Sequence, residues 1–193
     1  MKPAVPGSRD QTGSRALEWF LRLATIDDIP ALEPLIQLSV RKLQAATYSP
    51  SQIEAALGTV FGVDTQLIHD GSYYVAQAGE AIVGCGGWSR RKTLFGSDHA
   101  PAKDDRFLDP AADPARVRAF FVHPDWARRG IGRAILAECE RAAAAMGFRT
   151  LELAATLAGV PLYTAGGFTP VETIAVALAN GETLPVVRMR KSL

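Results

Sequence analysis

The sequence predicts an α/β or α+β domain, a mixed sheet with helices on its faces, and three observations carry that reading. Strand and helix periodicities follow one another as strand, helix, helix, strand, strand, then strand, helix, strand, helix, then two strands. An apolar strand at 117–122 runs through a basic, glycine-containing turn into a strong amphipathic helix at 134–146. Two short turns, Ala78-Gly79-Glu80 and Asn180-Gly181, join neighbouring strand patterns as hairpins.

The elements can be justified in order. Leu21 to Ala24 alternates apolar and polar side chains, as a strand does. Thr25 to Asp28 supplies capping residues, and Ile29, Leu32, Leu35, Ile36 and Leu38 then recur at helical spacing, with Pro30 and Pro34 near the helix start. Ser49-Pro50-Ser51 restarts the chain into a second helix marked by Ile53, Ala56 and Leu57. Ser72–Ala78 and Ala81–Ser89 are strands, and Gly84, Gly86 and Gly87 either weaken the second strand locally or let another backbone or ligand come close. From Arg90 to Pro114 periodicity is lost, which makes the stretch functional or disordered. Order returns with the strand at 117–122 and the helix at 134–146, where Ile135, Leu136 and Cys139 face inward and Gly147 is the stop. A strand at 150–154, a helical piece at 161–165 and strands at 171–178 and 184–189 complete the chain.

Composition excludes several classes. The chain has 193 residues, 48% hydrophobic and 21% charged, which suits one globular domain. No apolar run reaches the length of a membrane span, and no signal peptide opens the sequence. Residues 1–15 mix Pro, Gly, Ser and charge, and are expected to be a mobile tail. A net charge of +1 gives no field to draw nucleic acid or an anionic membrane. Cys85 and Cys139 form neither a disulfide framework nor a metal-ligand spacing, and fit a reducing cytoplasm; no catalytic metal is expected.

The chemistry is concentrated in the turn Ala127 to Arg133. Gly130 and Gly132 free the backbone to turn its N–H groups toward one point at a helix N-terminus, where the dipole favours an anion. Arg128, Arg129 and Arg133 add charge for phosphate oxygens. The pattern is that of a pyrophosphate cradle; a turn with solvated arginines is the alternative. It fits neither a Walker loop, since Arg133-Ala134 follows Gly132, nor a dinucleotide fingerprint, since Ile135 stands where the third glycine belongs.

The segment Arg129-Gly130-Ile131-Gly132 resembles the acetyl-CoA motif of the GNAT superfamily of N-acetyltransferases, Gln/Arg-x-x-Gly-x-Gly/Ala, with Ala127 departing from its first position. Leu162 to Phe168 is similar to that family's late Leu-Tyr-x-x-x-Gly-Phe segment. The resemblance implies a single acyltransferase domain over 16–193 built on a mostly antiparallel sheet. It implies direct transfer of acetyl from acetyl-CoA to an amine, for which a small primary amine is expected. The pyrophosphate would lie on Arg128, Arg129, Gly130, Ile131, Gly132 and Arg133, and the pantetheine arm on the backbone of Phe121 and Val122. Thr156 stands where the family often has an Asn for that arm, and Tyr163 matches the usual general acid.

Proton donation from a phenol to a thiolate is uphill by about 2 kcal/mol on ordinary pKa values. The fourth strand carries Arg116 and Arg118 where family members often have a Glu or His base, and Asp98-His99 is the alternative candidate, beside a solvated loop pair. Tyr48, Trp88, Asp104, Asp105 and Asp109 are candidates for an acceptor pocket, whereas Arg90-Arg91-Lys92 would favour an acidic acceptor. A non-catalytic acyl-CoA sensor is the rival reading, and the last two strands leave a homodimer open.

Overall fold

The computed structural model describes residues 19–101 and 103–193, so the tail expected over 1–15 lies outside the described residues. The strands are β1 Phe20–Leu23, β2 Tyr73–Ala78, β3 Ala81–Ser89, β4 Ala115–Val122, β5 Thr150–Thr156, β6 Thr169–Ala177 and β7 Thr183–Ser192. They form one sheet in the order β1-β2-β3-β4-β5-β7-β6, antiparallel throughout except where β4 runs parallel to β5. The helices are α1 Ile29–Leu43, α2 Pro50–Ala56, α3 Thr65–His69, α4 Ile131–Ala145 and α5 Val160–Ala165. This is the mixed, mostly antiparallel sheet flanked by helices that the sequence predicts.

Each face of the sheet buries its own core. The apolar stripe of α1 (Leu32, Leu35, Ile36, Val40) packs with α2 and α3 over Val75 and Cys85. On the other face α4 lays Ile131, Ile135, Leu136 and Cys139 against the sheet, with Tyr163 and Phe168 beside them. The inward residues of the second cluster are those whose helical spacing predicts it.

Local chemistry explains the boundaries. Ser49 accepts from Gln52 N–H at 3.1 Å while the Gln52 side chain accepts from Ser49 N–H at 2.9 Å, a reciprocal cap that starts α2. Pro34 lies inside α1 rather than at its start; it and Pro30 are exposed, so water can reach the carbonyl left without a donor. α4 begins at Ile131, three residues before the position expected, because Gly130 adopts φ +85° and makes the turn itself. β5 extends to Thr156, two residues beyond its expected end. α3 is unforeseen, and His69 is its last residue. Five residues are too few to display a helical period.

The 90–114 stretch is neither helix nor strand, yet it is tied down. Its two limbs pair through Lys92 N–H to Arg106 O at 3.0 Å and Leu108 N–H to Arg90 O at 2.8 Å. Its tip docks on the α2–α3 connection: Ser97 N–H donates to Thr59 O at 2.8 Å, Ser97 Oγ to Gly58 O at 2.6 Å, and Asp98 N–H to Val63 O at 3.0 Å. No helix of the described residues is long and apolar enough to cross a membrane.

Candidate active site

The site begins where the sheet splits. β4 and β5 pair at only two positions, Ala115 with Leu151 and Arg116 with Glu152, and then part. On its other side β4 pairs Phe121 with Cys85 and Arg118 with Gly87, so three steps on β4 oppose two on β3. The extra residue makes a bulge, and Ala119 within it sits at φ +59°. That conformation costs an alanine about 1–2 kcal/mol. The fully buried Tyr73 pins it, its hydroxyl donating to Ala119 O at 3.0 Å.

Past β4, His123 Nδ1 accepts from Asp125 N–H at 3.2 Å and caps the turn Pro124–Trp126. Arg128 at φ +65° and Gly130 at φ +85° then reverse the chain into α4. Ile131, Gly132 and Arg133 are thus the first turn of the helix, where N–H groups have no intrahelical acceptor. Gly132 allows close packing here: a Cβ on it would lie 3.1 Å from Leu162 Cδ2.

A cavity of about 650 Å³ joins these parts. Phe121 and Val122 from β4, Thr156 from the end of β5 and Tyr163 from α5 line it, as do Arg128, Gly130, Ile131, Gly132 and Arg133. Arg129 is not among the lining residues; its guanidinium stacks 4.9 Å from the ring centroid of Trp126, which does line the cavity. At the far end, beside Arg118 and the bulge, the walls are Leu43 of α1 and Gln44 just past it, Phe61, and Leu94 to Gly96 from the docked tip.

Three comparisons bear on this geometry. Residues 69–170, more than half of the chain, match the family model described as the acetyltransferase (GNAT) domain. The chain belongs to the GNAT family of acetyltransferases. No curated protein matches the sequence. Among solved structures, a GCN5-related N-acetyltransferase from Rhodopseudomonas palustris aligns with TM-score 0.67 and 22% identity over 90% of this chain and 95% of its own. PaiA N-acetyltransferase from Thermoplasma acidophilum, in complex with coenzyme A, aligns with TM-score 0.63 and 15% identity over 91% and 99%. The ribosomal-protein-S18-alanine N-acetyltransferase of Escherichia coli aligns with TM-score 0.55 and 16% identity over 91% and 94%. Identities this low show the shared GNAT fold and nothing finer.

Within this GNAT site Tyr163 is buried, packed edge-on between Phe120 (6.0 Å) and Phe168 (5.9 Å). Burial, with a smaller contribution from nearby Cys139, raises its phenol above the ordinary tyrosine range. It therefore stays protonated at neutral pH but is a weaker acid than an ordinary tyrosine, so donation to a thiolate would be more uphill than ordinary pKa values give. Thr156 Oγ1 accepts from Gly159 N–H at 3.2 Å, so its hydroxyl proton remains for another partner. Buried Ser39 accepts from Val122 N–H at 3.2 Å, a contact the sequence does not announce.

Several expected acceptor residues lie elsewhere in the GNAT fold. Tyr48 is a buried tie, donating to Pro185 O at 2.7 Å and accepting from Leu157 N–H at 2.9 Å. Trp88 packs in the core edge-on to Phe148 at 6.1 Å. Asp104 pairs with Arg106, Asp109 accepts from Ala111 N–H at 2.9 Å, and neither they nor Asp105 line the cavity. Arg90 and Arg91 flank the exposed Phe107 ring at 4.7 and 4.5 Å, and Arg91 also pairs with Asp70, so the basic run is engaged away from the cavity. Asp98 accepts from Thr65 N–H at 2.9 Å, in effect capping α3, and Asp98-His99 also lies outside the cavity lining. Arg118 is buried, donates from Nη1 to Thr93 O at 2.9 Å and forms an ion pair with fully buried Asp64, which Lys103 also meets at 3.0 Å.

Proposed function

We propose that the chain transfers an acetyl group from acetyl-CoA to the primary amine of a small molecule, directly, within a ternary complex. One observation carries the reading: a single cavity runs from the basic first turn of α4 to a buried tyrosine and a bulged strand. The chemistry of its lining suits coenzyme A. Arg128 and Arg133 stand at the phosphate end, and no Asp or Glu is among the lining residues to repel the anion. The parted edges of β4 and β5 suit an extended arm that carries amide groups.

The cosubstrate supplies an activated acetyl thioester. In this reading Arg128, Arg133 and the backbone of Gly130 to Arg133 hold the pyrophosphate, while Phe121, Val122 and Thr156 hold the arm. Backbone donors beside the bulge stabilise negative charge on the thioester oxygen. Tyr163 donates its proton to the departing sulfur. The structural neighbours include a ribosomal-protein acetyltransferase, but the apolar residues that line the cavity beside the bulge favour a small acceptor.

Calorimetric titration with acetyl-CoA, with ATP and NAD as controls, tests the reading: selective binding at micromolar concentration is expected, and equal or stronger binding of ATP or NAD would sink it. A rival reading, an acyl-CoA sensor without turnover, draws on the lack of Asp, Glu or His among the cavity-lining residues. Binding of acetyl-CoA with no product from any amine would favour the sensor.

A further inference from the structure

We propose that the acceptor is an amine on an aromatic body, taken into the cavity as the free base; this rests on the acetyltransferase reading above. The far walls are apolar and aromatic, with Phe61 and Phe95 lining the same space as Leu43, Val60 and Leu94. Phenyl walls favour an aromatic guest through edge and offset contacts as well as burial. A body bearing its own charge would lose hydration there without a partner.

The charges around that end argue against an ammonium ion. No Asp, Glu, His or Lys is among the lining residues. The nearest cation, Arg118 of β4, is already matched by Asp64, and Lys103 meets the same carboxylate. Arg128 and Arg133 add only positive charge at the other end. An entering ammonium would meet like charge and no counter-ion. Gln44, at the end of α1, offers a neutral partner instead: its Oε1 is buried with no hydrogen-bond partner among the described residues. An N–H of a free amine supplies the donor that this oxygen lacks and leaves the nitrogen lone pair available.

A free amine also makes the absence of a base among the lining residues intelligible. The nitrogen lone pair forms the N–C bond to the acetyl carbonyl carbon, and the C–S bond breaks with its electron pair going to sulfur. Tyr163 gives its proton to sulfur, and its oxygen then takes the surplus proton from nitrogen. An amide and a free thiol result, and the protein ends in its starting protonation state. An ammonium substrate would first have to surrender a proton, for which the cavity provides no acceptor.

The test uses the full chain, acetyl-CoA, and amines chosen by charge: an arylamine, an arylalkylamine, the same arylalkyl body carrying a carboxylate, a polyamine, and a peptide with a free N-terminus. The arylamine should be acetylated with kcat/KM nearly flat from about pH 6 to about pH 9, because it is already neutral there. For the arylalkylamine kcat/KM should rise about tenfold per pH unit below the amine's own pKa. The carboxylated, polycationic and peptide amines should each be poorer by at least about tenfold. Gln44→Glu should shift the arylalkylamine-to-arylamine ratio by about tenfold toward the cation at neutral pH, with acetyl-CoA affinity unchanged. A charged or peptide acceptor as the best substrate overturns the proposal while leaving the acetyltransferase reading intact, and so does a flat profile for the arylalkylamine. Failure of acetyl-CoA to bind, or binding without product from any amine, overturns the acetyltransferase reading itself and the proposal with it.

Discussion

Tyr163 is the residue on which the proposed chemistry turns, and its environment makes a sharp expectation. Burial raises its phenol, so it stays protonated throughout the neutral range while being a weaker acid than an ordinary tyrosine. Tyr163→Phe removes the proton and keeps the ring packed between Phe120 and Phe168. Its kcat should fall by about a hundredfold or more while the calorimetric affinity for acetyl-CoA stays within about twofold. Unchanged kcat in a folded variant would remove Tyr163 from the mechanism. At this scale the sequence is informative wherever a residue acts through its place in a motif. Gly130, Gly132, Arg128, Arg133, Thr156 and Tyr163 all line the cavity. It is uninformative where role depends on which way a side chain turns. Arg129 finds the Trp126 ring, and Tyr48 and Trp88 find the interior, because long aromatic and basic side chains take the nearest partner that folding brings them.

Elements were legible in proportion to their length and periodicity. β3 and the inward face of α4 could be read directly, whereas the single turn of α3 carries no period and the bulge in β4 carries no sign at all. Ala119 accepts φ +59° because Tyr73, distant in sequence, holds its carbonyl. The glycines of β3 were legible as points of close approach, and the structure says what approaches. A Cβ on Gly84 would lie 2.6 Å from Ile131 Cγ2, at the first turn of α4. Gly84→Ala must therefore push α4 away from the sheet at the end that carries the proposed phosphate loop. Overpacking of this kind costs about 1–3 kcal/mol, so a thermal scan should show Tm lower by several degrees, about 2–4 °C per kcal/mol for a chain of this size. Acetyl-CoA affinity should weaken as well, whereas Gly79→Ala, in an open turn at the far end of β3, should lower stability without touching affinity.

The whole molecule is assembled from segments that a sequence reading treats separately, and the walls proposed for the acceptor were the least legible part for that reason. They come from the end of α1, from the α2–α3 connection and from the tip of the 90–114 stretch, latched by Ser97 and Asp98. Ion pairs bind several of these joins. Arg22 grips Asp28 through two bonds of 2.7 Å, and Arg91 grips Asp70 at 2.7 and 2.8 Å, so both carboxyls titrate below their ordinary range. Their stabilisation is complete above the unfolded value, about pH 4, and is lost as pH falls through the lower folded values, so acid unfolding should steepen below about pH 4. Arg91→Gln should blunt that steepening.

Asp64 presents the most demanding case. Its carboxylate is fully buried and faces both Arg118 and Lys103, which join β4 to the latched tip. Arg118 Nε and Nη2 find no well-aligned hydrogen bond, so the pair rests on charge more than on geometry. Asp64→Asn keeps the shape and leaves two cations facing each other in the interior. The expected cost is about 3–5 kcal/mol, read as a drop in Tm on the order of 10 °C. Adding Lys103→Met should recover part of it by removing one of the opposed charges. Because the same cluster seats Leu94 to Gly96 against the cavity, the acceptor KM should rise several-fold while acetyl-CoA affinity holds. A variant that kept both its Tm and its acceptor KM would mean that Ser97 and the backbone bonds at the tip suffice to build the acceptor wall.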